Sequence, residues 1–481
     1  MTFTHESYFW KDQNIQKALN NIVSHPKDSR GYLYLTLAYL KNNKIEPAYK
    51  SLQFSFQFIR ANLNLYELFH DFINDPSVIG HFLELLHNLS RSVFVDTDVR
   101  GCRILIEDLD LFLEFALDKF WSKFQHITSQ IVFMRGYFKN ILGNYSQGKA
   151  LLETLIQGGG ASSEAPSRTL AESLLGLWDL SINNSSGVDF SILQDYEKFS
   201  TAANNSITPL ITSPDNHGNQ EWTNKATVFL SCDGIYFERL GIAQALSIAE
   251  TSPGVGIHFH VMNPTSEVPQ LLGRLKKVCP CLQVTSSLEE VNYGDPMSWT
   301  RKTFYASARF CRAASFIESS NQTVIVTDAD QVFRKNILNL ICPNESTNYD
   351  VAIFNHHNHY PLASLYAKYG ASFVVIEPTY LGKKYIRDVS LLIEHNLKRG
   401  ACWTLDQMAL LAIGKAHQAN SIPTRIFELP FSEITCDWDL SPATVWNSAG
   451  PCKFQNNTYT NTIRLLLIKW GFEDIFNRYY Q

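Results

Sequence analysis

The chain changes its hydrophobic period once, near residue 220, and that change limits its second half to one class of fold. Beyond it, strand-like runs at Ala226 to Cys232, Gly256 to Met262, Cys281 to Thr285, Thr323 to Thr327, Tyr349 to Phe354 and Ser372 to Ile376 alternate with helical stretches. Such alternation with short links predicts an α/β domain on a mostly parallel sheet. Ligands of these sheets bind beyond the carboxyl ends of the strands. Polar motifs at those ends are therefore where function is sought.

Ahead of the change, to about Asp215, the chain reads as helices. From Gly31 to Phe56, residues Leu33, Leu37, Ala38, Leu40, Ala48 and Leu52 recur at helical spacing around the polar turn Lys41-Asn42-Asn43-Lys44. A second hairpin is predicted from Ile131 to Ile156, with Tyr137, Ile141 and Leu142 before the turn Gly143-Asn144-Tyr145 and Ala150, Leu151 and Leu155 after it. Both hairpins resemble tetratricopeptide repeats, in which a glycine or asparagine turn joins two helices and a small residue lets them cross closely. Neither copy has the whole repeat pattern, and Asp71 to Lys119 fits only generic helix. A flexible loop is expected at Gly158-Gly159-Gly160-Ala161-Ser162-Ser163, and Ser213 to Gln220 reads as a linker. The expected organisation is an all-α, tetratricopeptide-like domain over 1–215, an α/β domain over 223–460 and a C-terminal amphipathic helix over 461–481.

Bulk properties narrow the function classes. With 481 residues the chain can bury a large core, and 45% hydrophobic against 18% charged residues is the balance of a globular protein. A formal net charge of -5 without a Lys/Arg-rich run argues against a nucleic-acid partner. Nine cysteines are scattered, and the pair Cys279 and Cys281 lacks a second pair at zinc-ligand spacing, so free thiols are expected. Met1 to Asn20 has no apolar core of a signal peptide, and no apolar run is long enough to span a bilayer. A cytoplasmic location is the expectation, in which triplets such as Asn88-Leu89-Ser90 carry no glycosylation message.

Three strand-end motifs stand out. Asp328-Ala329-Asp330 follows Gln322-Thr323-Val324-Ile325-Val326-Thr327 and precedes Gln331-Val332-Phe333. Two carboxylates one residue apart can share a hard divalent cation, which can in turn hold a nucleotide diphosphate; the alternative is an acidic strand-to-turn corner. After the first strand, Asp233 and Tyr236 can bond a base or ribose and stack on a ring, or simply cap and pack a helix start. Arg301 to Phe310 forms a predicted helix whose spacing puts Lys302, Tyr305 and Arg309 on one face. That face either contacts sugar and phosphates or is a solvated basic surface.

The order of these motifs resembles the GT-A fold nucleotide-sugar glycosyltransferases, with a Rossmann-like mixed sheet, and is most similar to the retaining, galactosyltransferase-like family eight. The Asp233–Tyr236 stretch is similar to that family's nucleoside-binding opening, Tyr305-Ala306-Ser307-Ala308-Arg309 to the helix ahead of its metal motif, Asp328-Ala329-Asp330 to the metal motif, and Trp403-Thr404-Leu405-Asp406-Gln407-Met408-Ala409-Leu410 to its Asp-Gln segment. The likeness spans roughly Ala226 to Lys453. It implies a UDP-sugar donor bound through Asp233, Tyr236, Lys302, Arg309, Asp328, Ala329 and Ser372. It also implies Mn²⁺ or Mg²⁺ on Asp328, Asp330 and Asn447, catalytic roles for Asp406, Gln407 and Lys453, and transfer with retention to a hydroxyl of a protein or glycan acceptor.

Two departures from the family pattern matter. Its His-x-x-Gly-x-x-Lys motif here reads Asn447-Ser448-Ala449-Gly450-Pro451-Cys452-Lys453, so an uncharged amide replaces a histidine. The family's asparagine near the acceptor strand is absent, with Ala371-Ser372-Phe373 in that region. The alternative function is an interaction scaffold whose glycosyltransferase domain is degenerate. His356, His357 and His359 match no zinc spacing and read as a loop after the fifth strand. The stretch from Asn461 to Gln481, with apolar residues beside Arg464, Lys469 and Arg478, can lie on a membrane surface or pack back on its own domain; packing is expected.

Overall fold

The computed structural model describes residues 125–157, 188–205, 224–291, 299–341, 348–355, 368–399, 404–430, 433–435, 443–447, 454 and 457–480, together with short helical pieces before residue 125 and at 171–177. The chain divides into two compact units, Met1–Leu175 with Tyr360–Leu365 and Gly176–His359 with Tyr366–Gln481. The expected hairpin at Gly31 to Phe56 falls almost wholly outside the described residues. So do the Gly158–Ser163 loop, the Ser213–Gln220 linker and the three histidines 356, 357 and 359.

In the first unit the second predicted hairpin is present as α1 (Gln125–Ile141) and α2 (Tyr145–Gln157). Gly143, at φ +80, ends α1, and the Asn144 N–H bonds back to the Lys139 carbonyl at 2.8 Å. The two helices cross where side chains vanish: a Cβ on Gly136 would sit 2.7 Å from Leu152, and one on Gly148 would sit 3.0 Å from the Gly136 carbonyl. Small residues thus set the spacing of this pair.

The second unit is built on a seven-stranded sheet of order β3-β2-β1-β4-β7-β6-β8. Its strands are β1 (Ala226–Asp233), β2 (Val255–Met262), β3 (Val284–Glu289), β4 (Thr323–Thr327), β6 (Val351–Asn355), β7 (Tyr369–Ile376) and β8 (Ile426–Leu429). β1 pairs in parallel with β2 and β4, and β2 with β3, whereas β7 runs antiparallel to both β4 and β6. The result is the mixed α/β sheet expected from the sequence. β1 is buried from Ala226 through Cys232, with apolar residues on successive positions, as a central strand covered on both faces requires.

The third strand begins three residues later than its apolar run suggests. Cys279 N–H bonds Leu275 O and Leu282 N–H bonds Cys279 O, so Pro280, Cys281 and Leu282 close a turn, and pairing starts only at Val284 against Ile257. Among the described residues Cys232, Cys279, Cys281 and Cys311 are free thiols.

Four helices cover this sheet and place the site: α4 (Ile242–Thr251), α6 (Trp299–Ser320), α7 (Tyr380–Leu397) and α8 (Leu405–Ala419), with α3 (Tyr196–Asn205) and α5 (Val268–Val278) beside them. A smaller sheet of order β5-β10-β9 joins β5 (Gln331–Phe333), β10 (Val445–Asn447) and β9 (Ile434–Thr435). Residues 188–205 belong to the sheet unit. Asp189 exchanges backbone bonds with the Asn396 amide and pairs with His395 at 2.9 Å, and Tyr196 donates its hydroxyl to Asp388 of α7.

The C-terminal stretch forms two helices, not one: α9 (Asn457–Lys469) and α10 (Glu473–Tyr480). Gly471, at φ +74, makes the break, a conformation that favours glycine. Ile463, Leu466, Leu467, Phe472 and Ile475 enter the core shared with β1 and α4, so the apolar face packs inward while Leu465 stays exposed. Among the described residues no helix is long and apolar enough to cross a membrane.

Candidate functional site

Strand order brings β1 and β4 together at the centre of the sheet, so the turns that leave them share one edge. The turn after β1 opens with Asp233, whose carboxylate accepts the Tyr236 N–H at 2.8 Å and caps the helical turn Gly234–Tyr236. Burial pushes the Asp233 carboxyl up from its ordinary value, against the opposing backbone bond. Gly234 is required here, because a Cβ would lie 2.6 Å from the Thr265 N. The turn presents Tyr236 outward at 39% exposure, enough ring to stack on a ligand. A π-helical turn, Phe237–Gly241, follows before α4.

The Asp328-Ala329-Asp330 turn links β4 to β5. Both acidic residues and Ala329 are half-buried, and the Asp328 N–H bonds the Ser372 carbonyl of β7 at 3.1 Å. Ser372 thus supports the turn through its backbone. Asn447 lies in β10 with its backbone in register opposite Gln331, the residue after Asp330. Lys453 lies outside the described residues.

Arg309 of α6 unites the site. Its guanidinium pairs with the Asp328 carboxylate, donates to Asp406 Oδ2 at 2.9 Å and donates to the Ala371 carbonyl at 3.0 Å. The solvated basic face considered for this helix therefore does not describe Arg309, which is buried; Lys302 is exposed, and Tyr305, between them in depth, is bonded by Asn263 and Arg301. Burial lowers the Arg309 pKa against the pull of Asp406 and Asp330, and it raises that of Asp406 against the pull of Arg309. Each charge is held by the other.

Asp406 stands in the first turn of α8, whose N-cap Thr404 is left-handed at φ 75. Its Oδ1 accepts the Gln407 N–H at 2.9 Å, so the carboxylate serves the helix terminus and Arg309 together. Gln407 is half-buried beside it. The structure therefore gathers Arg309, Asp328, Ala371, Ser372 and Asp406 into one cluster, with Asp330 on the same turn. Sequence reading missed three contributors to this cluster, Gln244, Gln331 and Tyr459, which bond its backbone; a lone glutamine inside Ile242-Ala243-Gln244-Ala245-Leu246 was the available signal.

Among the described residues no group of three His, Cys, Asp or Glu side chains is placed to hold a metal ion. What the turn offers is two carboxylates, with Asp328 committing Oδ1 to Arg309 and 31% of its side chain exposed. An all-oxygen set of this kind suits Mg²⁺ or Mn²⁺ that brings further oxygens from a diphosphate. The residues present fit such an ion.

No protein-family model matches the sequence, nor does any curated protein. Solved structures do align with it: the glycosyltransferase GlyE of Streptococcus pneumoniae TIGR4, at 12% identity and TM-score 0.34 over 53% of this chain and 64% of that one. The galactosyltransferase LgtC, in complex with donor and acceptor sugar analogues, aligns at 15% identity and TM-score 0.34 over 51% of this chain and 95% of that one. The mannosyltransferase PcManGT of Pyrobaculum calidifontis, with GDP-Man and Mn²⁺, aligns at 14% identity and TM-score 0.25 over 54% and 66%. The chain spans less than two thirds of the length of GlyE.

Proposed function

We propose that this protein is a metal-dependent glycosyltransferase that moves a sugar from a nucleotide diphosphate, UDP-sugar favoured, to a hydroxyl of a protein or glycan acceptor, with retention. The observation that carries the reading is the Asp328–Arg309–Asp406 link, which joins the acidic turn to the Asp-Gln segment at one edge of the sheet. Asp233 and Tyr236, on the neighbouring turn, would hold and stack the nucleoside. Asp328, Asp330 and Asn447 would hold Mn²⁺ or Mg²⁺, which when bound offsets the negative charge of the leaving diphosphate.

The chain's own residues do the rest. Arg309, desolvated and fixed by two carboxylates, is pre-oriented beside the position of the diphosphate, where a buried cation acts strongly on developing charge. Asp406 and Gln407 would face the sugar, Asp406 accepting from its hydroxyls and Gln407 near the reacting face; Lys453 would add charge at the leaving oxygens. Lys302, at the rim, would contribute a screened, long-range pull. The helical unit would select the acceptor. The scaffold reading draws on one feature, Arg309 pairing with a carboxylate that a metal ion would use.

Incubation of the full chain with Mn²⁺ and a panel of nucleotide sugars, followed by NMR of the anomeric proton, tests this. Turnover of one donor, with product of the donor's own anomeric configuration, is expected; turnover of none favours the scaffold reading.

A further inference from the structure

Three buried side chains with no part in the chemistry above hold the backbone of the Asp328–Asp330 turn, two of them directly and Gln331 through the Ser372 carbonyl on which the turn hangs. Gln244 of α4 donates Nε2 to the Asp328 carbonyl at 3.1 Å and to Thr327 Oγ1 at 3.2 Å. Gln331 donates Nε2 at 2.7 Å to the Ser372 carbonyl, which also accepts the Asp328 N–H. Tyr459 of α9 donates its hydroxyl to the Asp330 carbonyl at 3.2 Å. They come from three separate elements, and none is more than 1% exposed. The amide oxygens of Gln244 and Gln331 find no hydrogen-bond partner, a cost that an apolar residue in either place would avoid.

That cost has a counterpart in geometry. Two carboxylates one residue apart repel, and an unrestrained turn would rotate its peptide planes to separate them. Here the amide and carbonyl of Asp328 and the carbonyl of Asp330 are all engaged on the protein side, which fixes the peptide planes on both sides of Asp328 and the one that follows Asp330. We infer that Gln244, Gln331 and Tyr459 are positioning residues that pre-set this turn, so that its carboxylates are arranged for a cation and diphosphate before either arrives. The ligand named here rests on the proposed function; the clamp itself rests on the hydrogen bonds.

The test uses the full chain with Gln244→Met, Gln331→Met and Tyr459→Phe, each made singly. Two quantities are measured: amide hydrogen exchange across residues 327–331 without ligand, and Mn²⁺ affinity in the presence of UDP from the paramagnetic resonance of free Mn²⁺. Each variant is expected to speed exchange at the Asp328 amide about tenfold, with β1 unchanged, and to raise the apparent Kd for Mn²⁺ about tenfold. Exchange that matches wild type in all three variants overturns the inference. So does faster exchange with affinity within about twofold of wild type, or acceleration that is equal in β1 and so reports general destabilisation. If wild type binds no Mn²⁺ with UDP, the proposed function falls; local acceleration at the turn would still support the clamp, and its absence would still sink it.

Discussion

Two clusters of buried charge in the sheet unit use the same chemistry to different ends. At the strand ends Arg309 bridges Asp328 and Asp406, and the Asp328 side chain keeps 31% of its surface open. Among α3, α7 and α8, Lys384, His417 and Tyr196 converge on Asp388, whose side chain is 1% exposed. His417 bonds Asp388 at 2.8 Å and turns its other ring nitrogen to Thr424 at 2.7 Å. A carboxylate held by cations is thus no mark of a site by itself. What separates the two is opening at the sheet edge: the sealed cluster fastens the 188–205 segment to α7 and α8, whereas the open one can meet a ligand.

The largest effect expected from breaking this contrast lies in the sealed cluster. Asp388→Ala leaves Lys384 as an uncompensated buried cation and should cost about 3–5 kcal/mol in urea unfolding. Its affinity for UDP with Mn²⁺ should stay within about twofold, a difference of about 0.4 kcal/mol; a parallel loss of affinity would erase the distinction between the clusters. In the open cluster Asp406→Asn should keep the fold and nucleotide binding while turnover drops roughly 100-fold, about 2.7 kcal/mol of transition-state stabilisation. A raised KM with kcat unchanged would place Asp406 in binding instead.

A third carboxylate sharpens the comparison through pH. Burial pushes Glu289, at the end of β3, upward, but hydrogen bonds from His260 and Arg312 outweigh it and hold the group at about 2 against an ordinary 4.5. A depressed carboxylate adds stability above pH 4.5, and that stability is lost as pH falls from 4.5 toward about 2. Urea midpoints measured across that range should therefore fall less steeply for Glu289→Gln than for wild type, and parallel curves would contradict the assignment. The smallest effect is expected at Lys302. Exposed and screened, it should lose no more than about twofold in nucleotide affinity on mutation to alanine, and only at low salt.

The contrast also shows what the sequence could convey. Central strands such as Thr323–Thr327 were legible because unbroken β-branched runs allow little else. The third strand slipped because Cys281 and Leu282 are apolar yet lie in a turn, where hydrogen bonding and not hydrophobicity sets the boundary. The break at Gly471 was signalled by its glycine, but the apolar spacing runs on through it. In the site, helical spacing placed Lys302 and Arg309 on one stripe without revealing that one is exposed and the other buried. The Arg309–Asp406 pair spans 97 residues and needed the sheet to bring it together. Gln244, Gln331 and Tyr459 were illegible for the same reason: each bonds a backbone group contributed by another part of the chain.

Calorimetry of the full chain with UDP in the presence and absence of Mn²⁺, on wild type and on Asp330→Ala, decides whether the open cluster and its acidic turn bind a nucleotide diphosphate through a divalent cation. Mn²⁺-dependent binding to wild type is expected, with a roughly 100-fold weaker response, about 2.7 kcal/mol, in the variant. Binding that ignores Mn²⁺, or an Asp330→Ala protein that binds as wild type does, would contradict this mode of binding.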